Sequence, residues 1–123
     1  MMMTPLARWR IVFYEDVRGR NPVQEYLDQL PVQEQVEAEE AFALMREFGI
    51  LLGMLHARPV TGHAPLWELR PGANRIFYFA HTGRQFVLLH AFRKQSQKTP
   101  EREIRLAERR LAQFLEEYRE STR

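Results

Sequence analysis

Residues 66–100, LWELRPGANRIFYFAHTGRQFVLLHAFRKQSQKTP, constrain the fold of this chain most. Aliphatic and aromatic residues run in short blocks, separated by Pro71-Gly72-Ala73-Asn74 and then by His81-Thr82-Gly83-Arg84. Proline and glycine preset the backbone for reversal, so the spacing predicts three antiparallel strands over about 66–70, 74–80 and 85–93. A four-residue first connection pairs Arg70 with Arg75, Leu69 with Ile76 and Trp67 with Tyr78. A two- or four-residue second turn pairs Ala80 with Gln85, Tyr78 with Val87 and Arg75 with His90.

Side chains alternate along a strand, so this register writes out two faces. One holds Leu69, Ile76, Tyr78, Ala80, Val87, Leu89 and Ala91; it is nearly all apolar and is expected to cover helices. The other holds Glu68, Arg70, Arg75, Phe77, Phe79, Phe86, Leu88, His90, Phe92 and Lys94, with the polar groups gathered toward one end. A three-residue second turn would flip the third strand and part His90 from Arg75. Two arginines facing each other repel unless an anion lies between them, and either Glu68 or a phosphate fits that place. His90 reads as a buried histidine bonded to a neighbour or as a group for acid–base or phosphate chemistry.

The flanking sequence supplies helices. Residues 8–14, RWRIVFY, alternate as a half-buried strand does. Asn21-Pro22-Val23-Gln24 has an N-cap asparagine, proline at the first helical position and glutamine in the capping-box place. Val23, Tyr26, Leu27 and Leu30 form the apolar side of that short helix. A second helix is expected from about Val32 to Phe48, with Ala38, Ala41, Phe42, Met45 and Phe48 as its stripe and Gly49 as its stop. Residues 50–65 read as a loop. The last helix starts at Thr99-Pro100-Glu101 and presents Ile104, Ala107, Leu111, Phe114, Leu115 and Tyr118. The order β-α-α-β-β-β-α describes one α+β domain over residues 1–123: a small twisted antiparallel sheet against a helical hairpin, with a C-terminal helix.

Composition narrows the chemistry. There is no cysteine among the 123 residues, which excludes disulfides, thiolate metal sites and a cysteine nucleophile. No metal motif is present, and no cofactor is expected. The start, MMMTPLARWR, has no apolar core of a leader, and the run Ile50 to Leu55 is too short to span a bilayer; a cytoplasmic protein is expected. The net charge is only +2. Its distribution is uneven: residues 32–47 hold five glutamates against Arg46, while residues 66–99 hold Arg70, Arg75, Arg84, Arg93, Lys94 and Lys98 against Glu68. One acidic and one basic surface follow, an asymmetry that steers a charged ligand.

Taken together, LWELR, the arginine opening NRIFYF, and LLHAFRKQSQKTP leading into a helix resemble the RelE/ParE superfamily of bacterial toxins, closest to its HigB-like, phage-derived branch. The resemblance implies the fold just read, the toxin role in a type II toxin–antitoxin system, and a cognate antitoxin, usually a helix-turn-helix protein. Many such proteins cut mRNA on the ribosome without a metal, the substrate's 2′-hydroxyl attacking the adjacent phosphate; ParE-type members instead poison DNA gyrase. On that likeness Arg75 and Lys94, or its neighbour Arg93, are the catalytic cations, and Arg70, Arg93 and Lys98 position phosphates. Several active members carry a tyrosine just after the last strand, and here Gln95–Pro100 has none. Tyr118 lies too far along and Tyr78 falls on the helix-facing side, which leaves His90 as the titratable group for proton transfer. The open readings are a ribosome-dependent endoribonuclease, a non-catalytic toxin that binds a protein target, and a member that only binds its antitoxin.

Overall fold

The computed structural model describes residues 8–52 and 56–123. The first seven residues, read above for a leader, and Gly53–Leu55 of the expected 50–65 loop lie outside them. The elements are β1 (Arg10–Phe13), α1 (Pro22–Asp28), α2 (Val32–Phe48), a 3-10 turn (Gly49–Leu51), β2 (Ala57–Pro59), β3 (Trp67–Leu69), β4 (Asn74–His81), β5 (Gln85–Arg93) and α3 (Glu101–Ser121). The chain is an α+β protein whose five strands form one sheet in the order β1-β5-β4-β3-β2.

Local chemistry accounts for the helix ends. The Asn21 side chain accepts the Gln24 backbone N–H at 3.1 Å, with Pro22 in the first turn. Only half of the capping box forms, because the Gln24 amide turns forward to Asp28 at 2.8 Å. Gly49 ends α2 at φ +57, and a Cβ there would lie 2.4 Å from Trp9 Nε1, so glycine answers both the backbone and the packing. Pro100 is the N-cap of α3 rather than its first helical residue, and the Thr99 hydroxyl bonds Glu68 at 3.4 Å instead of capping the helix.

The sheet departs from the sequence reading in two ways. It is mixed, not antiparallel throughout: β1 runs parallel to β5, with Arg10 opposite Gln85 and Phe13 opposite Leu88. It also has a fourth strand in the antiparallel run, because β2 forms inside the expected loop and pairs Ala57 with Leu69 and Pro59 with Trp67. Proline lacks a donor and fits only an edge strand, which is where β2 lies.

Registers decide which side chains meet. The first hairpin pairs Trp67 with Tyr78 and Leu69 with Ile76, as expected. The second does not follow the expected register. Its loop is Thr82-Gly83-Arg84, three residues, with Gly83 at φ +74 and Arg84 at φ +56, so His81 faces Gln85 and Phe79 faces Val87. Phe86 and Leu88 therefore turn to the α1–α2 side and Val87 to the other. A bulge then sets Leu89 and His90 against Phe77, and the extra residue restores the original facing for the rest of the strand. His90 stays on Arg75's side of the sheet, but it pairs with Phe77 while Arg75 pairs with Phe92.

Both faces are covered. Val23, Leu27, Phe42 and Met45 of α1 and α2 pack on Leu69, Ile76, Tyr78, Phe86 and Leu88. Ile104, Ala107 and Leu111 of α3 pack on Phe77, Phe79, Val87, Leu89 and Phe92. Each fully buried large apolar side chain contributes about 1.5–3 kcal/mol relative to exposure, so β4 and β5, buried from both sides, form a rigid floor. Among the described residues no helix is long and apolar enough to cross a membrane.

Candidate functional site

Two groups of polar side chains flank the end of the sheet where β4 begins and β5 ends. The first is cationic. Arg75 is nearly buried, and its Nη1 donates to the carbonyls of Gly72 and Asn74, each at 2.8 Å. The Nε atoms of Arg75 and Arg70 both stand 3.8 Å from one oxygen, Glu68 Oε1. At that distance the pairing is electrostatic rather than hydrogen-bonded, and both Nε–H groups are buried without a hydrogen-bond acceptor. Of the two anions weighed from sequence, Glu68 occupies the place between the arginines. Burial, then the neighbouring Arg70 charge, lowers the Arg75 pKa, with Glu68 opposing; a guanidinium still keeps its proton.

The remaining cations fall around this group. Lys94 lies one step past β5 on the Arg75 face by strand alternation, anchored through its N–H to the Ala73 carbonyl at 2.9 Å. Lys98 is exposed in the segment before α3, its carbonyl accepting the Ser96 hydroxyl at 2.8 Å. Arg93 faces the opposite way: its Nη2 reaches both Glu34 oxygens, at 2.8 and 2.9 Å, on α2. The six residues picked from sequence thus divide, with Arg70, Arg75 and Lys94 on one side, Arg93 on the other, His90 under α3 and Lys98 exposed in the segment before α3.

The second group surrounds a cleft. β1 stops at Phe13, opposite Leu88, and the cleft of about 310 Å³ opens beside the last residues of β5. Tyr26 borders it from α1, His90 and Arg93 from β5, Ser96 from the following segment, and Arg102 and Glu103 from α3. His90 Nδ1 is 3.2 Å from Arg110 Nη1, and Nε2 is 3.2 Å from Glu103 Oε1. Arginine only donates, so Nδ1 accepts and Nε2–H donates to Glu103: the ring is neutral. Burial is the main cause that lowers the His90 pKa, with Arg110 adding and Glu103 opposing.

Across the cleft the Tyr26 hydroxyl donates to Asn74 Oδ1. Asn74 Nδ2 in turn donates to Glu34 Oε1 at 2.9 Å, and Glu34 holds Arg93. The glutamate fixes which way the buried amide points, and the amide fixes the phenol. Desolvation raises the Tyr26 pKa, Arg93 lowers it, and Glu34 and Glu103 raise it. The phenol therefore keeps its proton at neutral pH and is a donor.

Tyr26, Glu34, Asn74, Glu103 and Arg110 were not singled out from the sequence. Tyr26 lay in an apolar stripe, Asn74 in a turn, and the others on charged helix faces. The signal that could have found them is the polar tip on Tyr26 at the edge of its stripe, since a buried phenol needs a partner. Among the described residues no three His, Asp or Glu side chains are grouped as metal ligands would be.

No curated protein matches the sequence. Residues 25–112 match the family described as phage derived protein Gp49-like (DUF891), a stretch that includes Tyr26, β2 through β5 and the cleft-lining turn of α3. The chain belongs to this Gp49-like phage-derived family, which is part of the RelE/HigB-like toxin superfamily.

Proposed function

We propose that this protein is the toxin of a type II toxin–antitoxin pair and acts as a metal-independent endoribonuclease on ribosome-bound mRNA. The observation that carries the reading is the juxtaposition at one end of the sheet of the cations Arg70, Arg75 and Lys94 with a cleft bordered by Tyr26, His90 and Glu103. Cleavage by 2′-hydroxyl attack needs a proton acceptor, a proton donor and fixed positive charge near the phosphate. Family membership supports a toxin-like protein, and the cations suit a polyanionic substrate. A cognate antitoxin would neutralise it by laying acidic side chains over the Arg70–Lys94 face.

The test is purified protein with programmed ribosomes. Codon-positioned cuts are expected with wild type, and they should vanish in Arg75→Lys/Lys94→Ala, a pair that keeps the buried positive charge. An intact message would overturn the nuclease reading.

One observation favours a second reading. Glu68 already stands between Arg70 and Arg75, and both His90 nitrogens are engaged, as in a toxin that binds a protein target without catalysis. An intact message together with inhibited DNA gyrase would establish it.

A further inference from the structure

His90 has no free nitrogen lone pair: Nδ1 accepts from Arg110 and Nε2–H donates to Glu103. Glu103 accepts that bond through Oε1 alone, and among the described residues its other carboxylate oxygen carries no hydrogen bond. The histidine therefore orients a carboxylate that keeps accepting capacity at the cleft. Tyr26, from a different element, borders the same cleft with a hydroxyl whose proton rests on Asn74 Oδ1 until a better acceptor enters. Tyr26 from α1 and Glu103 from α3 thus border the same cleft of about 310 Å³. Arg102, exposed, and Arg93, on Glu34, supply positive charge on its rim.

We infer that Glu103 is the proton acceptor and Tyr26 the proton donor of an RNA-cleaving site in this cleft, with His90 as the residue that positions Glu103. The inference rests on the nuclease reading above and deepens it. Glu103 takes the proton from the 2′-hydroxyl as that oxygen bonds to phosphorus. The bond from phosphorus to the 5′-oxygen breaks, and the Tyr26 phenol gives its proton to the departing oxygen. The products are a 2′,3′-cyclic phosphate and a 5′-hydroxyl. Solvent then removes the proton from Glu103 and returns one to Tyr26. A phenol is a far stronger acid than the 5′-alcohol it protonates, so the transfer runs downhill. Arg93, whose charge already lowers the Tyr26 pKa, steadies the transient phenolate. The α1 phenol thereby fills the role left open by the absence of tyrosine after β5.

The experiment compares Glu103→Gln, Tyr26→Phe and, as a control on the same turn, Glu101→Gln, in single-turnover cleavage of ribosome-bound message. Glutamine keeps an oxygen that accepts from His90, so the Glu103→Gln fold is preserved; melting curves check both variants. Glu103→Gln and Tyr26→Phe are each expected to slow cleavage by about 10²-fold or more, with Glu101→Gln unchanged. A message with sulfur in place of the scissile 5′-oxygen needs no acid, and it should restore the Tyr26→Phe rate but not the Glu103→Gln rate. Wild-type cutting with both variants within about 3-fold of it would overturn the assignment and leave the nuclease reading standing. Slowing of Tyr26→Phe that sulfur does not relieve would overturn the donor role. No cutting by wild type would overturn the nuclease reading and this inference with it.

Discussion

The Arg70–Arg75–Glu68 cluster and the Tyr26–Glu103 cleft flank the same end of the sheet, where β4 begins and β5 ends, yet they are built in opposite ways. The cluster has charge and little access: the Arg75, Glu68 and Arg70 side chains are 9, 16 and 22% exposed, and two cations share one carboxylate. The cleft has access and little net charge: a neutral histidine, a phenol, and an arginine already matched by Glu34. Fixed charge is worth most where water is excluded, whereas proton transfer needs groups that can touch a substrate. The difference separates a region that holds a field from a region that can exchange protons.

The largest effect is expected from removing the carboxylate that balances the cluster. Glu68→Gln leaves Arg70 and Arg75 side by side with no counter-charge. Uncompensated buried charge costs about 3 kcal/mol or more, and urea unfolding should register a loss of that order. Inorganic phosphate should then raise the melting temperature of Glu68→Gln more than that of wild type, because an anion can take the vacated place between the two guanidinium groups. Equal phosphate effects on the two proteins would mean the arginines do not form an anion site at all.

A smaller effect tests whether the cleft histidine is neutral. Burial lowers the His90 pKa in the fold, so the unfolded chain binds the proton more readily. Stability on this account is full above the ordinary histidine pKa of about 6.5 and is lost as pH falls from there through the lowered folded value. His81 is shifted downward by burial as well and acts with the same sign. Comparing urea midpoints at pH 7.5 and 5.5 for wild type and His90→Gln isolates the first contribution, since His81 is present in both. Wild type should lose more stability on acidification than the variant does. An equal loss would mean that His90 is as easily protonated in the fold as out of it.

Much of this architecture was legible because local chemistry wrote it. Asn21-Pro22 and Gly49 marked helix ends that form where expected, and Pro71-Gly72 fixed the register of the first hairpin. The second register was not legible because its turn uses Arg84 in a left-handed conformation, a place where glycine or asparagine would have announced it. The bulge at Leu89 and His90 was hidden for a different reason: it is selected by packing against α3, with Leu89 in the core and His90 on Glu103. The parallel pairing of β1 with β5 joins segments about seventy residues apart, and no local signal carries such a contact. The candidate site divided along the same line. Arginines placed by a short hairpin could be found, while Tyr26, Glu34 and Glu103 come to β5 from three helices, and only tertiary structure brings them there.

The smallest expected effect asks whether one RNA strand crosses both regions. Lys94 stands at the cluster and Arg102 at the cleft, and among the described residues neither forms an ion pair. A lysine or arginine that neutralises a phosphate releases counterions, and for single strands each contact contributes about 0.7 to the slope of log K against log salt. Lys94→Ala and Arg102→Gln should therefore each flatten the slope for a short single-stranded RNA by about 0.7, measured by fluorescence anisotropy, and the double variant by about twice that. Flattening with Arg102→Gln alone would confine the RNA to the cleft and leave the cluster a structural device. Flattening with Lys94→Ala alone would put the RNA over the cluster and away from Tyr26 and Glu103. Additive losses are the outcome that joins the two regions into one track, with the field of the cluster holding the strand whose phosphodiester the cleft receives.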